Sequence, residues 1–449
     1  MDLTFTLREL DRARDPAGLE IRLGDTVLTR LLRHDSSAEN TELHIPPGPL
    51  GIWFAENWWR LRWECLPLDG LTPEWREAHD MASIGAGHAW PSIAFWGEGQ
   101  RVMVLAKADP PGVMGPVRFL QDALSFVPGQ SFETAVDALI KSVDGMLVGE
   151  DRDYFRSLIG ALNEERNDAD VSAWRRLEAI NGFDPDEAPE SLISGLLHLS
   201  ERFGNADVEE AAAAHPGVES VNIINRLIKN SASDKRFVEV DFADAVRGVG
   251  SILPRAGREP WSLAESAASR LRQALDVGKG PLINSRLAEL AQTARSILKP
   301  QQQADDVAPY GVRLASEVGQ RVLLRAHWLR DRRFELMRAL GDAIWSGISP
   351  LGPLSRAGTE RQKFQHAFAA NMLCPISALK NYLGDDDPNV DPSDEDISAA
   401  ARHFHVSERV ARSVLINKRM SDRAMIDVPA NIAPSGTNFQ DIAGPRVKL

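Results

Sequence analysis

Histidine, cysteine and carboxylate side chains are where metal or acid–base chemistry would begin, and the chain groups them in few places. His79, Asp80 and His88 frame the segment HDMASIGAGH. Two imidazoles and a carboxylate have the donor types of a metal site. Their spacing fits no zinc pattern, however, and GAG beside Trp90-Pro91 reads as a loop. His403 and His405 are two apart, so on a helix they face different directions and do not pair as ligands. Asp385, Asp387 and Asn389 mimic the start of an EF-hand loop within GDDDPNVDPSDED. Val390 stands where that loop needs glycine, and Asp396 where it uses glutamate. A solvated loop leading into a helix N-terminus accounts for the stretch better. No P-loop, dinucleotide-binding glycine fingerprint or Ser-His-Asp motif stands out.

The elements that must position such groups divide the chain into stretches of different character. Residues 1–128 read as a β-rich N-terminal domain. Trp59, Leu61 and Trp63 alternate with Arg60, Arg62 and Glu64, which predicts a strand with one buried face, and Glu56-Asn57 is the turn joining it to Ile52–Ala55. Residues 92–107 predict a hairpin, with Gly97 and Gly99 in the turn. The tryptophans at 53, 58, 59, 63, 90 and 96 read as the core of this domain rather than a binding surface. Residues 129–253 carry apolar residues at helical spacing and form a helical middle region, with Gly182 as a helix stop. PRAGREP, residues 254–260, is a boundary. Helices over Ser262–Leu275 and Ser285–Leu298 follow, then a strand in RVLLRAHWL, then two longer helices, the second interrupted by Pro375. Residues 428–449 read as an extended tail. The fold class expected is α+β.

Two stretches in the last third resemble the ImmA/IrrE metallopeptidase family. That family runs a strand into an Arg-Arg-Phe-type helix bearing H-E-x-x-H, and places downstream a helix of the type N-x-F-A-A-x-x-L-x-P. Here Arg332, Arg333, Phe334, Leu336, Leu340 and Gly341 stand in order on the first helix. Phe368, Ala369, Ala370, Leu373 and Pro375 match the second in type and spacing. EPWSLAESAASRLRQAL and GPLINSRLAEL resemble the family's opening helices. The resemblance covers about residues 258–420 and implies a peptidase-like domain over 258–427, ending in a helix pair.

The zinc chemistry is missing from the matching positions. H-E-x-x-H places two imidazoles on one helix face around Zn²⁺, with the glutamate acting on bound water. The positions here are Arg338, Ala339 and Asp342. Arginine brings a fixed charge and no lone pair, alanine is no base, and one carboxylate is a poor zinc site. The family's third ligand, a glutamate, falls at Gln362, Lys363 or Phe364, with Glu360 about a turn too early. Arg338 and Asp342 are four apart and are expected to pair with each other. The resemblance makes the two helices neighbours, so Asp342, His366 and Cys374 are the alternative set for a rebuilt metal site.

Residues 395–420 have the rhythm of a helix-turn-helix. Ile397, Ala401 and Phe404 form an apolar face, Val406 sits in the turn, and Ser407 caps the second helix. Arg402–Arg423 holds Arg402, Arg409, Arg412, Lys418, Arg419 and Arg423 against Glu408 and Asp422. Arg409, Arg412, Lys418 and Arg419 are therefore candidate DNA contacts. The peptidase family ends in a similar pair, so packing on the domain is the competing reading.

The formal net charge of -13 argues against nucleic-acid binding over the whole surface, while leaving room for a local basic patch. Two widely separated cysteines, Cys65 and Cys374, give no disulfide framework and point to a reducing cytoplasm. The N-terminus shows no signal-peptide pattern, and no apolar run approaches membrane-spanning length. The function expected is a non-catalytic regulatory or protein-interaction protein without a cofactor, with a protein partner and no membrane partner. The family's setting implies stress response, mobile-element control or phage defence. The alternatives are a DNA-binding transcriptional regulator and a metal-dependent peptidase with a rebuilt site.

Overall fold

The computed structural model describes residues 2–11, 16–34, 38–68, 70–112, 115–250, 258–300, 309–316, 319–347, 349–384 and 392–422, with side chains up to 415. The calcium-loop reading at 385–390, most of the boundary at 254–260, and the tail at 428–449 lie outside these residues. The chain divides into two units, one ending at Ile193 and the other beginning at Ser194. Each is described by itself.

In the first unit, Leu19, Ile21 and Leu23 alternate with Glu20 and Arg22. This period-two pattern builds an antiparallel sheet with one face on the core. β1 (Leu3–Glu9) pairs with β2 (Ala17–Leu23), which also pairs with β3 (Thr26–Val27). β4 (Leu31–Arg33) and β5 (Glu39–Asn40) belong to a second sheet, and β6 (Leu43–Ile45) returns to β2. Three short helices follow: α1 (Pro47–Glu56), α2 (Trp58–Trp63) and α3 (Pro73–His79). The expected hairpin over 92–107 is present as β7 (Ser92–Gly97) and β8 (Arg101–Lys107). β9 (Val117–Phe119) joins β4, and β10 (Ala123–Pro128) joins β8. α4 (Gly129–Met146) then buries Phe132, Val136, Leu139, Ile140 and Val143, one helical stripe, against the core. α5 (Gly149–Asn167) and α6 (Ala169–Ile180) complete the unit. Gly182, at φ 80°, ends the helical run as its spacing predicts.

The strand expected over Trp59–Glu64 is instead α2, and Ile52–Ala55 lies in α1. Alternation implied that Arg60 and Arg62 face solvent. Both are buried: Arg60 Nε donates to Glu64 at 2.6 Å, and Arg62 Nε to Glu133 at 2.7 Å. With paired arginines inside, the segment is free to follow the helical spacing of Leu50, Trp53, Phe54, Trp58 and Leu61, all of them in the core. The tryptophans at 53, 58, 59, 90 and 96 are buried, as a core role requires.

α7 (Glu190–Phe203) runs from one unit into the other. The second unit continues with α8 (Asn205–Ala214), α9 (Ser220–Ser233), β11 (Phe237–Val240), α10 (Ala243–Val249) and α11 (Pro260–Ala274). The helix expected over Ser285–Leu298 is α12 (Asn284–Leu290) and a separate 3-10 turn at Arg295–Leu298. The break follows from Gln292 at φ 44°, a left-handed conformation that no helix continues through. β12 (Gly311–Ser316) and β13 (Gly319–Leu323) form a hairpin, and α13 (Leu329–Ser346) follows. β14 (Leu351–Leu354) closes an antiparallel sheet of order β11-β13-β12-β14. α14 (Glu360–Leu373), α15 (Ile376–Leu383), α16 (Asp394–Phe404) and α17 (Glu408–Asp422) complete the unit, with Pro375 between α14 and α15. α13, α14 and α11 pack together over the core. The chain as a whole is α+β. Among the described residues no helix is long and apolar enough to cross a membrane.

Candidate functional site

α13 and α14 meet at a charged cluster inside the second unit. Asp342 and Arg313 are both 0% exposed. Arg313, on β12, donates to Asp342 Oδ2 from Nε at 2.9 Å and from Nη2 at 2.7 Å. Arg361, in the first turn of α14, donates from Nε to Asp342 Oδ1 at 2.6 Å and from Nη1 to Asp207 Oδ1 at 2.7 Å. Gln365, one turn later, gives a third donor to Asp342 Oδ1 at 2.7 Å. The carboxylate is thus surrounded by two guanidiniums and an amide.

Glycine at position 352 makes room for this. Gly352 pairs with Arg313 across the sheet, and a Cβ there would overlap the Asp342 carboxylate. Any side chain at 352 would push the carboxylate off its partners.

A neighbouring half of the network is organised by Gln362. Its amide donates to Glu210 Oε1 at 2.8 Å and to Pro353 O at 2.9 Å. Its oxygen accepts from Ser355 N at 3.0 Å and from Arg338 Nη2 at 2.7 Å. Thr359 caps α14 and its hydroxyl donates to Glu210 at 2.7 Å. Arg313, Arg338 and Arg361 therefore face Asp207, Glu210 and Asp342, all of them buried. Within this set Asp342 is matched directly by Arg313 and Arg361, and Asp207 by Arg361, whereas Arg338 and Glu210 are held by hydrogen bonds to neutral groups.

The environment moves the ionisation of these groups. Burial opposes the charge on Asp342, but Arg361 and Arg313 outweigh it and hold the carboxyl below its ordinary range. Burial raises Glu210 above the ordinary carboxylate value, against the opposing pull of Arg361, Gln362 and Thr359. Burial lowers Arg338 to about 10.

These positions are the ones that carry zinc chemistry in the resembled pattern, and the residues present do not fit that metal. Arg338 donates to Ser355 O and to both glutamines, and makes no ion pair with Asp342, contrary to the expected four-apart pairing. Helical spacing put the two on one face, but Arg313 and Arg361 reach the carboxylate instead. Ala339 is in the core. Phe364 is also in the core, and Gln362 has joined the charge network.

The alternative metal set is not assembled. His366 is half-buried with its ring 5.7 Å from that of Phe334; burial and Arg338 push its pKa well below the usual value. Cys374 is buried close to Arg272, and burial pushes its thiol up to about 12. Asp342 is committed to arginines. Among the described residues no group of three or more His, Cys, Asp or Glu is arranged to hold a metal ion. His79 and His88 are likewise apart. His79 is fully buried, with Nε2 2.9 Å from Glu64 and Nδ1 2.6 Å from Phe95 O, whereas His88 turns back on Ala86 O.

The C-terminal helix pair is formed by α16 and α17. Ile397, Ala401, Phe404 and Val406 are buried in the core of the second unit, and Val410 N donates to the Ser407 hydroxyl at 3.4 Å. Arg409 is exposed, and Arg412 donates to Asp394 at 2.7 Å. The side chains of Lys418 and Arg419 lie outside the described residues.

Sequence reasoning missed Arg313, Arg361, Gln365, Asp207 and Glu210. One signal was present: arginine and glutamines at 361, 362 and 365 sit on a helix otherwise filled with core residues, where unpaired polar groups are costly. Compared with protein-family models, curated proteins and solved structures, the chain finds no match.

Proposed function

We propose that this chain is a non-catalytic regulatory or interaction protein whose second unit is a degenerate ImmA/IrrE peptidase-like domain. The observation that carries the reading is the set of guanidiniums on Asp342. Where that family holds a cation with imidazoles, this chain holds a carboxylate with Arg313 and Arg361, and Arg338 replaces one ligand. A cation entering there would have to displace two charge-assisted contacts and approach three arginines.

The protein-partner part of the reading is supported by exposed apolar side chains on the same unit. Trp328 is 67% exposed, Ile283 61%, Tyr382 44% and Leu329 39%. Arg333, one turn beyond Leu329, donates to Leu282 O and Asn284, which holds Ile283 near the start of α13. Tyr382 stacks on His403 at 4.5 Å, and His405 lies within the field of Arg330 and Arg333. Exposed tryptophan, tyrosine and arginine are the usual anchors of protein interfaces. Stress response, mobile-element control or phage defence is the setting that the family resemblance favours.

The test is metal content after expression with zinc and purification without chelator. Less than about 0.1 metal per chain supports the reading, since a structural site fills under those conditions. Near one zinc per chain, lost in Asp342→Ala, overturns it in favour of a hydrolase. A second reading, DNA binding by α17, has the exposed Arg409 in its favour. It requires salt-sensitive DNA affinity that falls in Arg409→Ala and Arg412→Ala.

A further inference from the structure

The first unit encloses a histidine whose surroundings fix its proton count. His79, the last residue of α3, is fully buried. Its Nδ1 lies 2.6 Å from the backbone oxygen of Phe95, and its Nε2 2.9 Å from Glu64 Oε2. The carbonyl belongs to β7, an edge strand of its three-stranded sheet. A carbonyl oxygen only accepts, so Nδ1 carries a hydrogen. A neutral imidazole then has a bare lone pair at Nε2, facing an oxygen of an acidic side chain at hydrogen-bond distance. The contact at Nε2 therefore needs one more proton, on the ring or on the carboxyl.

Two neighbours favour the ring. Arg60 Nε donates to the same Glu64 oxygen at 2.6 Å, which stabilises the ionised carboxylate. Burial opposes the Glu64 charge, but His79 and Arg60 outweigh it and hold the carboxyl below its ordinary range. The indole of Trp75 lies flat against the imidazole, with ring centroids 4.3 Å and planes 10° apart, and an aromatic face attracts a cation. Arg60 and His79 then balance Glu64 and Asp184, whose carboxylate accepts from Arg60 Nη1 at 3.2 Å. The other charges nearby are engaged elsewhere or face solvent. On α2, Arg62 donates to Glu133, and on α6, Arg175 donates to Glu165, Glu178 and Asp186. Glu74, Arg76 and Glu77 on α3 are exposed, and Cys65, next to Glu64, is half-buried. Asp80 accepts from Ala82 N and the Ser92 hydroxyl, with Arg76 and Lys107 in its field. β7 and the 3-10 turn Met81–Ser83 carry no ionisable side chain.

We propose that His79 is kept as a buried imidazolium and that its proton is a pH-sensitive latch within the first unit. The protonated ring ties α3 to β7 and α2, and through Glu64 and Arg60 to Asp184 in the turn that follows α6. Gly182, in the same turn, lies against Glu64: a Cβ there would stand 3.5 Å from Oε1. Removing the proton turns Nε2 from a donor into a lone pair set against a carboxylate oxygen, so that contact is lost. A histidine in an unfolded chain releases its proton near about pH 6.5. Folding above that pH therefore takes up one proton. The latch contributes fully below it and weakens as pH rises.

Nitrogen NMR of the full chain, labelled in its histidine rings, tests this, with His79 assigned through its contacts with the stacked Trp75 indole. At about pH 8 a solvent-exposed histidine is neutral, whereas His79 should show both ring nitrogens protonated. In Glu64→Gln the amide can donate to Nε2, so His79 should become neutral with its hydrogen on Nδ1 alone. Denaturant unfolding gives a second readout. Between about pH 7 and 9, the folding constant of the parent chain divided by that of Glu64→Gln should fall with rising pH, by up to about tenfold per unit, the linkage of one proton. Taking the ratio cancels the other titrating groups, Glu210 among them. If Glu64→Gln does not fold, His79→Gln is the reference for the same ratio. A neutral His79 at about pH 8 in the folded parent chain, or a ratio that stays level or rises with pH, overturns the proposal.

Discussion

Asp342 Oδ2 lies 2.7 Å from Arg313 Nη2 with both side chains wholly shielded from water. Such a pair adds little net stability relative to apolar residues of the same shape, because desolvation offsets attraction. Removing one member alone is a different matter, since it strands the other. Asp342→Ala would leave Arg313 and Arg361 without their shared anion. The expected loss is about 3–5 kcal/mol, a fall in melting temperature on the order of 10 °C. Calorimetry of the variant checks this, and an unchanged transition would show that the network is not closed to water.

Gly352 gives a steric counterpart. Gly352→Ala places a methyl group on the Asp342 carboxylate and should cost at least about 1–3 kcal/mol. Gly358→Ala, where an added Cβ meets nothing within 4 Å, should stay within about 0.5 kcal/mol. Equal effects from the two would contradict the packing described.

Acidity acts on the cluster in two opposite senses. Asp342 has a lowered pKa in the folded chain, so its contribution is complete above the unfolded value of about 3.9 and is lost as pH falls further. Glu210 has a raised pKa, so its contribution is complete below the unfolded value of about 4.3 and is lost as pH rises through the folded value. Glu210→Gln cannot ionise. It should therefore melt above the parent chain at about pH 8, with the advantage gone near pH 4. Paired melting curves decide it; an advantage that grows on acidification would count against the assignment.

Installing the H-E-x-x-H of the resembled family should not create a metal site. With Arg338→His, Ala339→Glu and Asp342→His combined, the third ligand is still absent at Gln362 and Phe364, and Arg313 and Arg361 still project into the cluster. Zinc content should stay below about 0.1 per chain and the melting temperature should fall. Stoichiometric zinc would mean that the arginines move aside readily.

The exposed Trp328 and Tyr382 make a prediction about surfaces. Trp328→Ala and Tyr382→Ala together should leave stability within about 1 kcal/mol, since both side chains are exposed. Any partner that copurifies with the parent chain should be lost. A partner retained by the double variant would move the interface elsewhere.

Local patterns were legible where sequence neighbours decide the structure. The hairpin of β7 and β8, the stop at Gly182, and the two helices flanking β14 all follow from spacing and turn residues. The strand misread at Trp59–Glu64 came from assuming that arginine marks a solvent face; Glu64 and Glu133 made a buried arginine tolerable. The charge network was hidden for a related reason. Asp342 was visible, but its partners come from β12 and α14, the carboxylate that shares Arg361 with it comes from α8, and only the fold brings them together. Periodicity reports which face a residue occupies, not what waits across from it.

The missing side chain at Gly352 also has a historical meaning. The Asp342 carboxylate fills the space a Cβ would take, and the guanidiniums hold it there, so the three sites cannot drift separately. A change at 352 is tolerated only after Asp342 has gone, and loss of Asp342 is tolerated only after Arg313 and Arg361 have been neutralised. Whatever the ancestry of this domain, the order in which its sequence can change is restricted. Metal chemistry could be introduced here only through intermediates that fold poorly.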